Sequence, residues 1–268
     1  MPDCDNNCSS CDVENCESRQ GIQKEKMNEN SNVKKIIGVV SGKGGVGKSL
    51  VTSLLAVNKL NEGKKVAILD ADITGPSIPQ CFGVHGSLMS DGVNAYPLKS
   101  KKGVEIVSSN LLLPDETDPI IWRGPIIAGT VKQFYTDVAY GDVDYMFVDM
   151  PPGTGDVPLT VFQSMDVDGI VIVTTPQDLV SMIVSKAIKM AEQMNIKVYG
   201  IVENMSYIVC PDCGKHLEVF GKSKLEEVAK KYNLEILGRI PVDPKLTELC
   251  DNGEIEEVKE NYFSKLNF

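Results

Sequence analysis

The sequence has no apolar run near the roughly 20 residues needed to cross a bilayer. Its start, Met1-Pro2-Asp3-Cys4, is polar and acidic and carries no apolar signal core. Both absences point to a cytoplasmic chain with no membrane partner. Basic residues are in deficit as well: 27 Lys and Arg stand against 37 Asp and Glu, a formal net charge of −10. Broad attraction to nucleic acid is thereby disfavoured, and no nucleic-acid partner is expected. No internal repeat is visible. Large apolar side chains are nearly missing from residues 1–32, which are rich in Asn, Ser, Glu and Cys. Such a segment cannot bury enough surface to fold alone. It reads as a flexible, cysteine-containing N-terminal arm, leaving 33–268 as the folded domain. Disulfides are not required there, because a chain of 268 residues buries roughly three quarters of its unfolded surface.

What is present is a repeated alternation. Short apolar runs occur at Ile36–Ser41, Val66–Asp70, Val104–Ser108, Tyr145–Asp149, Gly169–Thr174 and Val198–Val202. Continuous apolar runs of this length suit strands buried on both faces, as in a parallel sheet. Helical patterns lie between them. Leu179, Met182, Ile183, Ala187, Met190, Ala191 and Met194 form one apolar stripe, expected to be core; Leu225, Val228, Ala229 and Tyr232 form another. The alternation predicts a doubly wound, mostly parallel α/β sheet whose ligand sits outside the carboxyl ends of the strands.

The stretch Gly42-Lys43-Gly44-Gly45-Val46-Gly47-Lys48-Ser49 matches G-x-x-x-x-G-K-[ST], with a strand before it and a helical pattern after it. Glycines let the backbone N–H groups wrap phosphates, and the helix N-terminus adds partial positive charge. Lys48 is expected to reach the β- and γ-phosphates of ATP, and the Ser49 hydroxyl to bind Mg²⁺. Residues 33–268 thus read as a P-loop ATPase domain. Asp149 ends the strand YMFVD before Met150-Pro151-Pro152-Gly153 and suits Mg²⁺, directly or from behind the metal's own ligands. Gly153 suits a γ-phosphate-sensing switch. Asp70 ends the strand VAILD and either supports the metal or caps a turn.

Eight cysteines in a reducing compartment read as metal ligands or redox groups before structural disulfides. Cys210-Pro211-Asp212-Cys213 supplies two thiolates, whereas a tetrahedral metal or a [4Fe–4S] cluster takes about four. A twofold homodimer would bring two such pairs around one bridging cluster. A redox disulfide and a zinc site completed otherwise are the alternatives. Cys81 and Cys250 read as isolated, buried small hydrophobes. Cys4, Cys8, Cys11 and Cys16 can close on one ion or cluster, zinc or iron–sulfur.

Lys43, a second lysine early in the loop, resembles the deviant Walker A group: the nitrogenase iron protein, the Min and Par positioning ATPases and the Mrp/ApbC iron–sulfur cluster carriers. An exposed loop lysine is the bland alternative. The order GKGGVGKS, LDADITGPSIP, Arg123-Gly124-Pro125, DMPPGTGD, Glu203-Asn204-Met205 and CPDC is that of the Mrp/ApbC-type carriers, from Lys34 to about Gly253. The resemblance implies a nitrogenase-iron-protein-like fold and a homodimeric, slow ATPase. It would carry a labile [4Fe–4S] cluster on Cys210 and Cys213 and pass it to apo iron–sulfur proteins. It further implies that Lys43 reaches the partner's phosphates, that Asp72 orients the attacking water and acts as base, and that Asn204 and Pro241 line the adenine pocket. Some members add a cysteine arm with a second, more stable cluster; here the first gap is shorter than in the long-armed eukaryotic relatives. The rival functions within the same group are an electron donor and a positioning ATPase without cluster transfer.

Overall fold

A computed structural model describes residues 24–73, 75–112, 124–176, 180–264 and 266–268. The cysteines Cys4, Cys8, Cys11 and Cys16, along with Arg123 and Leu179, lie outside the described residues. Of the expected arm, residues 24–32 lie against the body. The Glu25 N–H donates to Ser164 O at 2.8 Å, and β1 (Ser31–Val33) pairs in parallel with a strand at Gly141–Val143.

β2 (Ile36–Ser41) runs through the Gly-rich loop into α1 (Lys48–Asn61), and β3 (Val66–Asp70) leads to the short α2 (Ile78–Cys81). A small hairpin follows, β4 (Met89–Ser90) and β5 (Ala95–Tyr96), then β6 (Leu98–Lys99) and β7 (Glu105–Ser108). Next come α3 (Gly124–Thr136), β8 (Gly141–Val143), β9 (Tyr145–Asp149), α4 (Asp156–Ser164), β10 (Gly169–Thr174) and α5 (Val180–Gln193). β11 (Lys197–Glu203) is followed by a second hairpin, β12 (Ile208–Val209) and β13 (His216–Leu217). α6 (Leu225–Tyr232), β14 (Ile236–Arg239) and α7 (Pro244–Asp251) complete the elements the site depends on.

The main sheet has the order β14-β11-β10-β2-β9-β3-β7-β6, parallel throughout except for the β6–β7 pair. β2 and β3 are consecutive in the chain, yet β9 lies between them. Up to their last residues β2, β3, β9 and β10 are continuous apolar runs because helices cover both faces. One core holds Ile36, Val40, Leu69 and Val148 with Val131 of α3, Val161 of α4, Val184 of α5 and Val228 of α6. The other holds Ile37, Val39, Ile68 and Phe147 with Leu55 of α1, Ile78 of α2 and Leu246 of α7. Residues adjacent along one strand thus serve opposite cores, as the period of two requires.

The α5 stripe is shifted from the sequence expectation. Ala187, Met190 and Ala191 are buried, but Met182 is 52% exposed, and Val184 and Ile188 take the inward places. The reason is phase: Val184, Ala187, Ile188 and Ala191 fall on one face at helical spacing, and Met182 falls off it. Leu55→Ala should therefore lower the unfolding free energy by about 2–5 kcal/mol. Met182→Ala should change it by less than about 0.5 kcal/mol. Urea denaturation of the two variants checks both values.

Candidate functional site

Strand pairing sets the site. The register puts Asp70 opposite Asp149, Val39 opposite Asp149, Val173 opposite Ser41 and Thr174 opposite Glu203. The polar ends of five strands therefore share one edge of the sheet, where the apolar runs stop. The loop after β2 arches over this edge. Gly47 sits at the start of α1 with φ +72°, and a Cβ there would lie 2.2 Å from Asn204 Nδ2. Any side chain at 47 would be strained in backbone and would collide with Asn204. Asn204 Nδ2 donates to Val46 O at 2.9 Å, so the turn after β11 holds the loop in place.

Asp149 is fully buried and receives three donors. Lys48 Nζ lies 2.7 Å from Oδ1, Thr52 Oγ1 donates to Oδ1 at 2.7 Å and Ser49 Oγ donates to Oδ2 at 2.6 Å. Lys48 is also buried, with Asp72 Oδ2 3.8 Å from its Nζ. A hydroxyl and a carboxylate oxygen, both hard donors, meet at Ser49 and Asp149, a set that fits Mg²⁺. Asp70 is buried behind them, accepting from Ser108 Oγ and from the Asp72 N–H, each at 3.2 Å. Burial foremost, and then the neighbouring Asp149, push its carboxyl well above the ordinary carboxylate value.

Two cavities adjoin this edge. One of about 270 Å³ lies against the loop and is lined by Lys43, Gly45, Lys48, Ser49, Asp72 and Cys81 among others. The other, of about 600 Å³, is lined by Leu50, Asn204, Met205, Pro241, Leu246 and Thr247 among others. The first has the charge and N–H groups a polyphosphate takes. The second, with more apolar than polar lining, suits a planar base. The sequence-predicted residues Gly42 to Ser49, Asp72, Asp149, Asn204 and Pro241 thus converge, with Asp70 buried beneath Asp149.

The second constellation stands apart. Cys210 and Cys213 occupy the turn of the β12–β13 hairpin, which the Cys210 N–H closes on Lys215 O at 2.9 Å. Backbone N–H groups of Cys213 and Asp212 donate to the Cys210 sulfur and, with the Cys213 thiol, hold the Cys210 thiol below its ordinary range. That is a turn preset for a thiolate. The Tyr207 and His216 rings stack at its base, 3.9 Å apart. Among the described residues no group of three or more His, Cys, Asp or Glu is placed to hold a metal ion, so this chain alone brings two thiols to the turn.

Sequence reasoning missed several residues. Thr52 lies one turn beyond Lys48 on the buried face of α1. Ser108 is paired with Asp70 by strand register. Glu203 is fully buried and accepts from Ser206 Oγ and Ser223 Oγ, both at 2.6 Å, linking β11 to the start of α6. Cys81 and Cys250, expected to be isolated, are brought together by the packing of α2 on α7, where Gln80 Nε2 donates to Asp251 O at 3.0 Å. Spacing along α1 could have indicated Thr52; the cysteine pair is made by tertiary packing and leaves no local signal.

Residues 32–266 match the family described as ParA, NUBPL iron-transfer P-loop NTPase. The chain belongs to this family. An iron–sulfur cluster carrier protein of Clostridium perfringens is 48% identical over 246 residues, covering 88% of this chain and 86% of that protein. One from Methanocaldococcus jannaschii is 45% identical over 260 residues, covering 94% and 90%. Among solved structures, a nucleotide-binding protein of Archaeoglobus fulgidus in complex with ADP is 46% identical and superposes with a TM-score of 0.76. It covers 84% of this chain and 88% of that one. The MinD of an Aquifex aeolicus MinC:MinD complex, 24% identical with a TM-score of 0.59 over 82% of this chain and 86% of that one, shares the fold. The chain is therefore an Mrp/NUBPL-type P-loop NTPase on a MinD/ParA-like α/β fold.

The environment of Asp70 gives a pH signature. The folded chain keeps a proton on Asp70 that the unfolded chain has released above about pH 3.8, the ordinary value. Stability from this group is thus complete below that pH and declines as pH rises toward the raised folded value. Asp70→Asn, which keeps an acceptor for the Asp72 N–H and turns an N–H donor toward Ser108 Oγ, lacks the decline. In the nucleotide-free chain the variant's advantage in urea denaturation should widen from about pH 4 to about pH 7. A difference independent of pH would show that the Asp70 carboxyl is not perturbed by burial.

Proposed function

We propose that this chain is an ATP-hydrolysing iron–sulfur cluster carrier of the cytoplasm. It holds a [4Fe–4S] cluster between two copies and passes it to apo iron–sulfur proteins. The observation that carries the reading is that Lys48, Ser49 and Asp149 are joined at one sheet edge, a set that suits a phosphate and a metal, while a separate turn carries two thiols, half of what a cluster takes. The printed names of the relatives, iron–sulfur cluster carriers and an ADP-bound nucleotide-binding protein, support both halves.

The chemistry follows from charge exchange. Lys48 and Ser49 compensate the buried Asp149 carboxylate. With ATP bound, Lys48 turns from Asp149 to the phosphate oxygens; Ser49 and Asp149 would hold Mg²⁺, which would neutralise phosphate charge. Each partner loses one counter-charge and gains another, so neither is left buried and unpaired. Asp72, beside Lys48 and lining the phosphate cavity, orients the attacking water and takes its proton. Asp70 stays behind this shell and backs Asp149. Asn204 ties the loop to the base cavity, which it lines with Pro241. Lys43, at the mouth of the phosphate cavity, reaches the nucleotide of the second copy.

Apolar side chains are exposed near the thiols, beside the charged Asp212, Lys215 and Glu218. Val209, Leu217, Val219 and Phe220 are all between 45% and 56% exposed, and this patch meets its counterpart across the twofold axis. The cluster then has four cysteine ligands, two from each chain. The arm, with Cys4, Cys8, Cys11 and Cys16, holds a separate iron–sulfur or zinc centre ahead of the ATPase domain. No helix among the described residues is long and apolar enough to cross a membrane, and the C-terminal Phe268 packs against Tyr145 and Tyr199. The paired thiols and the carrier names of the relatives favour this reading over a positioning ATPase.

Lys48→Ala should lower ATP turnover by about 10²–10³-fold in a steady-state phosphate-release assay. Lys43→Ala should lower it comparably while leaving nucleotide binding by the single chain intact; full turnover would remove the role in trans. Cys213→Ala should lose the visible absorption of the bridging cluster after anaerobic reconstitution. Normal loading would contradict the bridging site.

A further inference from the structure

Cys81 is the last residue of α2, and Cys250 stands next to last in α7. Both are free, Cys81 buried and Cys250 half-buried, and each thiol perturbs the titration of the other, as neighbours do. The backbone around them is as close as backbone can be. A Cβ on Gly253 would lie 2.5 Å from Gly83 Cα, and one on Gly83 would lie 2.8 Å from Gly253 O. Gln80 Nε2 donates to Asp251 O at 3.0 Å across the same junction. The two helix ends are thus held together on either side of the cysteines, with little freedom for the sulfur atoms to separate.

The two helices each border one cavity of the nucleotide cleft. Cys81 lines the phosphate cavity with Lys43, Ser49 and Asp72. α7 lines the base cavity through Leu246, Thr247 and Asp251. We propose that Cys81 and Cys250 are a redox-active dithiol whose oxidation to an intrachain disulfide locks α2 to α7 and lowers the affinity of the cleft for nucleotide. The inference rests on the nucleotide-binding half of the function above and is independent of the cluster.

The order of the chemistry follows from the two environments. The Cys81 thiol donates to the Cys250 sulfur and holds the Cys250 thiol below its ordinary range, whereas that hydrogen bond and burial push Cys81 up. Cys250, also the more accessible, is the attacking thiolate. With a low-molecular-weight disulfide RSSR as oxidant, Cys250 Sγ attacks one sulfur, forms Cys250–S–S–R and expels RS⁻. The expelled thiolate takes the Cys81 proton, and Cys81 Sγ then attacks the Cys250 sulfur and expels the second RS⁻. Two protein thiols are oxidised to one disulfide, and one RSSR is reduced to two thiols. The new bond sets the sulfurs at about 2.05 Å, fixes α2 to α7 and re-aims the Cys81 side chain in the wall of the phosphate cavity.

The test treats the reduced full-length chain with oxidised glutathione under anaerobic conditions. It then maps peptides without reduction and measures ADP affinity by calorimetry before treatment, after it and after dithiothreitol. The expected result is a linked Cys81–Cys250 peptide and an ADP affinity lowered by about 10-fold, restored by dithiothreitol. Cys250→Ser and Cys250→Ala should bind ADP like the reduced wild type and lose the response, although Cys210 and Cys213 remain. Absence of the linked peptide, a linked chain with unchanged ADP affinity, or an equal response in the Cys250 variants would overturn the proposal. Failure of the reduced chain to bind ADP would overturn the nucleotide assignment and with it the effect on affinity, while the peptide map would still judge the bond.

Discussion

The structure turns on one buried carboxylate. Asp149 ends β9 with no exposure to solvent, next to a second buried acid, Asp70. An uncompensated charge there would be strongly destabilising. Lys48, Ser49 and Thr52 supply the compensation, all from the first turns of α1. The phosphate loop is held to the sheet by the same contacts that position its lysine and hydroxyl for a ligand. An environment that raises Asp70 and gives Asp149 three donors sets two adjacent acids apart: Asp149 faces Lys48 and Ser49, and Asp70 ties the end of β3 to Ser108 of β7.

From that point the structure leads outward to the thiols. Val46 in the loop accepts from Asn204, the residue after β11. Glu203, immediately before it, is tied to Ser206 and to Ser223 at the approach to α6, and Arg239 of β14 lies 3.8 Å from its carboxylate. One residue past Ser206, Tyr207 stacks on His216 at the base of the cysteine hairpin. The segment from 203 to 216 is thus anchored at one end to the nucleotide loop and carries Cys210 and Cys213 at the other. A movement of Asn204 would reach the cysteine turn through a short connection that runs from the buried Glu203 and Ser206 to the half-buried Tyr207 and the exposed His216.

Much of this was legible in the sequence. Six buried strands, the loop GKGGVGKS and the acids closing VAILD and YMFVD all follow local patterns, because apolar runs and Gly-rich turns need only nearby residues to declare themselves. The pairing of Asp70 with Asp149 was not legible, since β9 enters between β2 and β3 by a crossover that no single strand encodes. Met182 looked buried because apolar residues on both sides of a helix stripe read alike until the packing partner sets the phase. Cys81 and Cys250 looked isolated because only the docking of α2 on α7 unites them. Asn204 and Pro241 read as plain turn residues on composition alone, and entered through family resemblance.

The account's central claim is that the nucleotide loop and the cysteine turn serve one two-chain cluster carrier. Native mass measurement of the full-length chain after anaerobic reconstitution tests it most directly, with iron and sulfide counted on the same sample. The account predicts a homodimer whose bridging site contributes about two irons per chain, lost together with the dimer in Cys210→Ser. A monomer that carries the same cluster, or a Cys210→Ser dimer that retains it, would contradict the account.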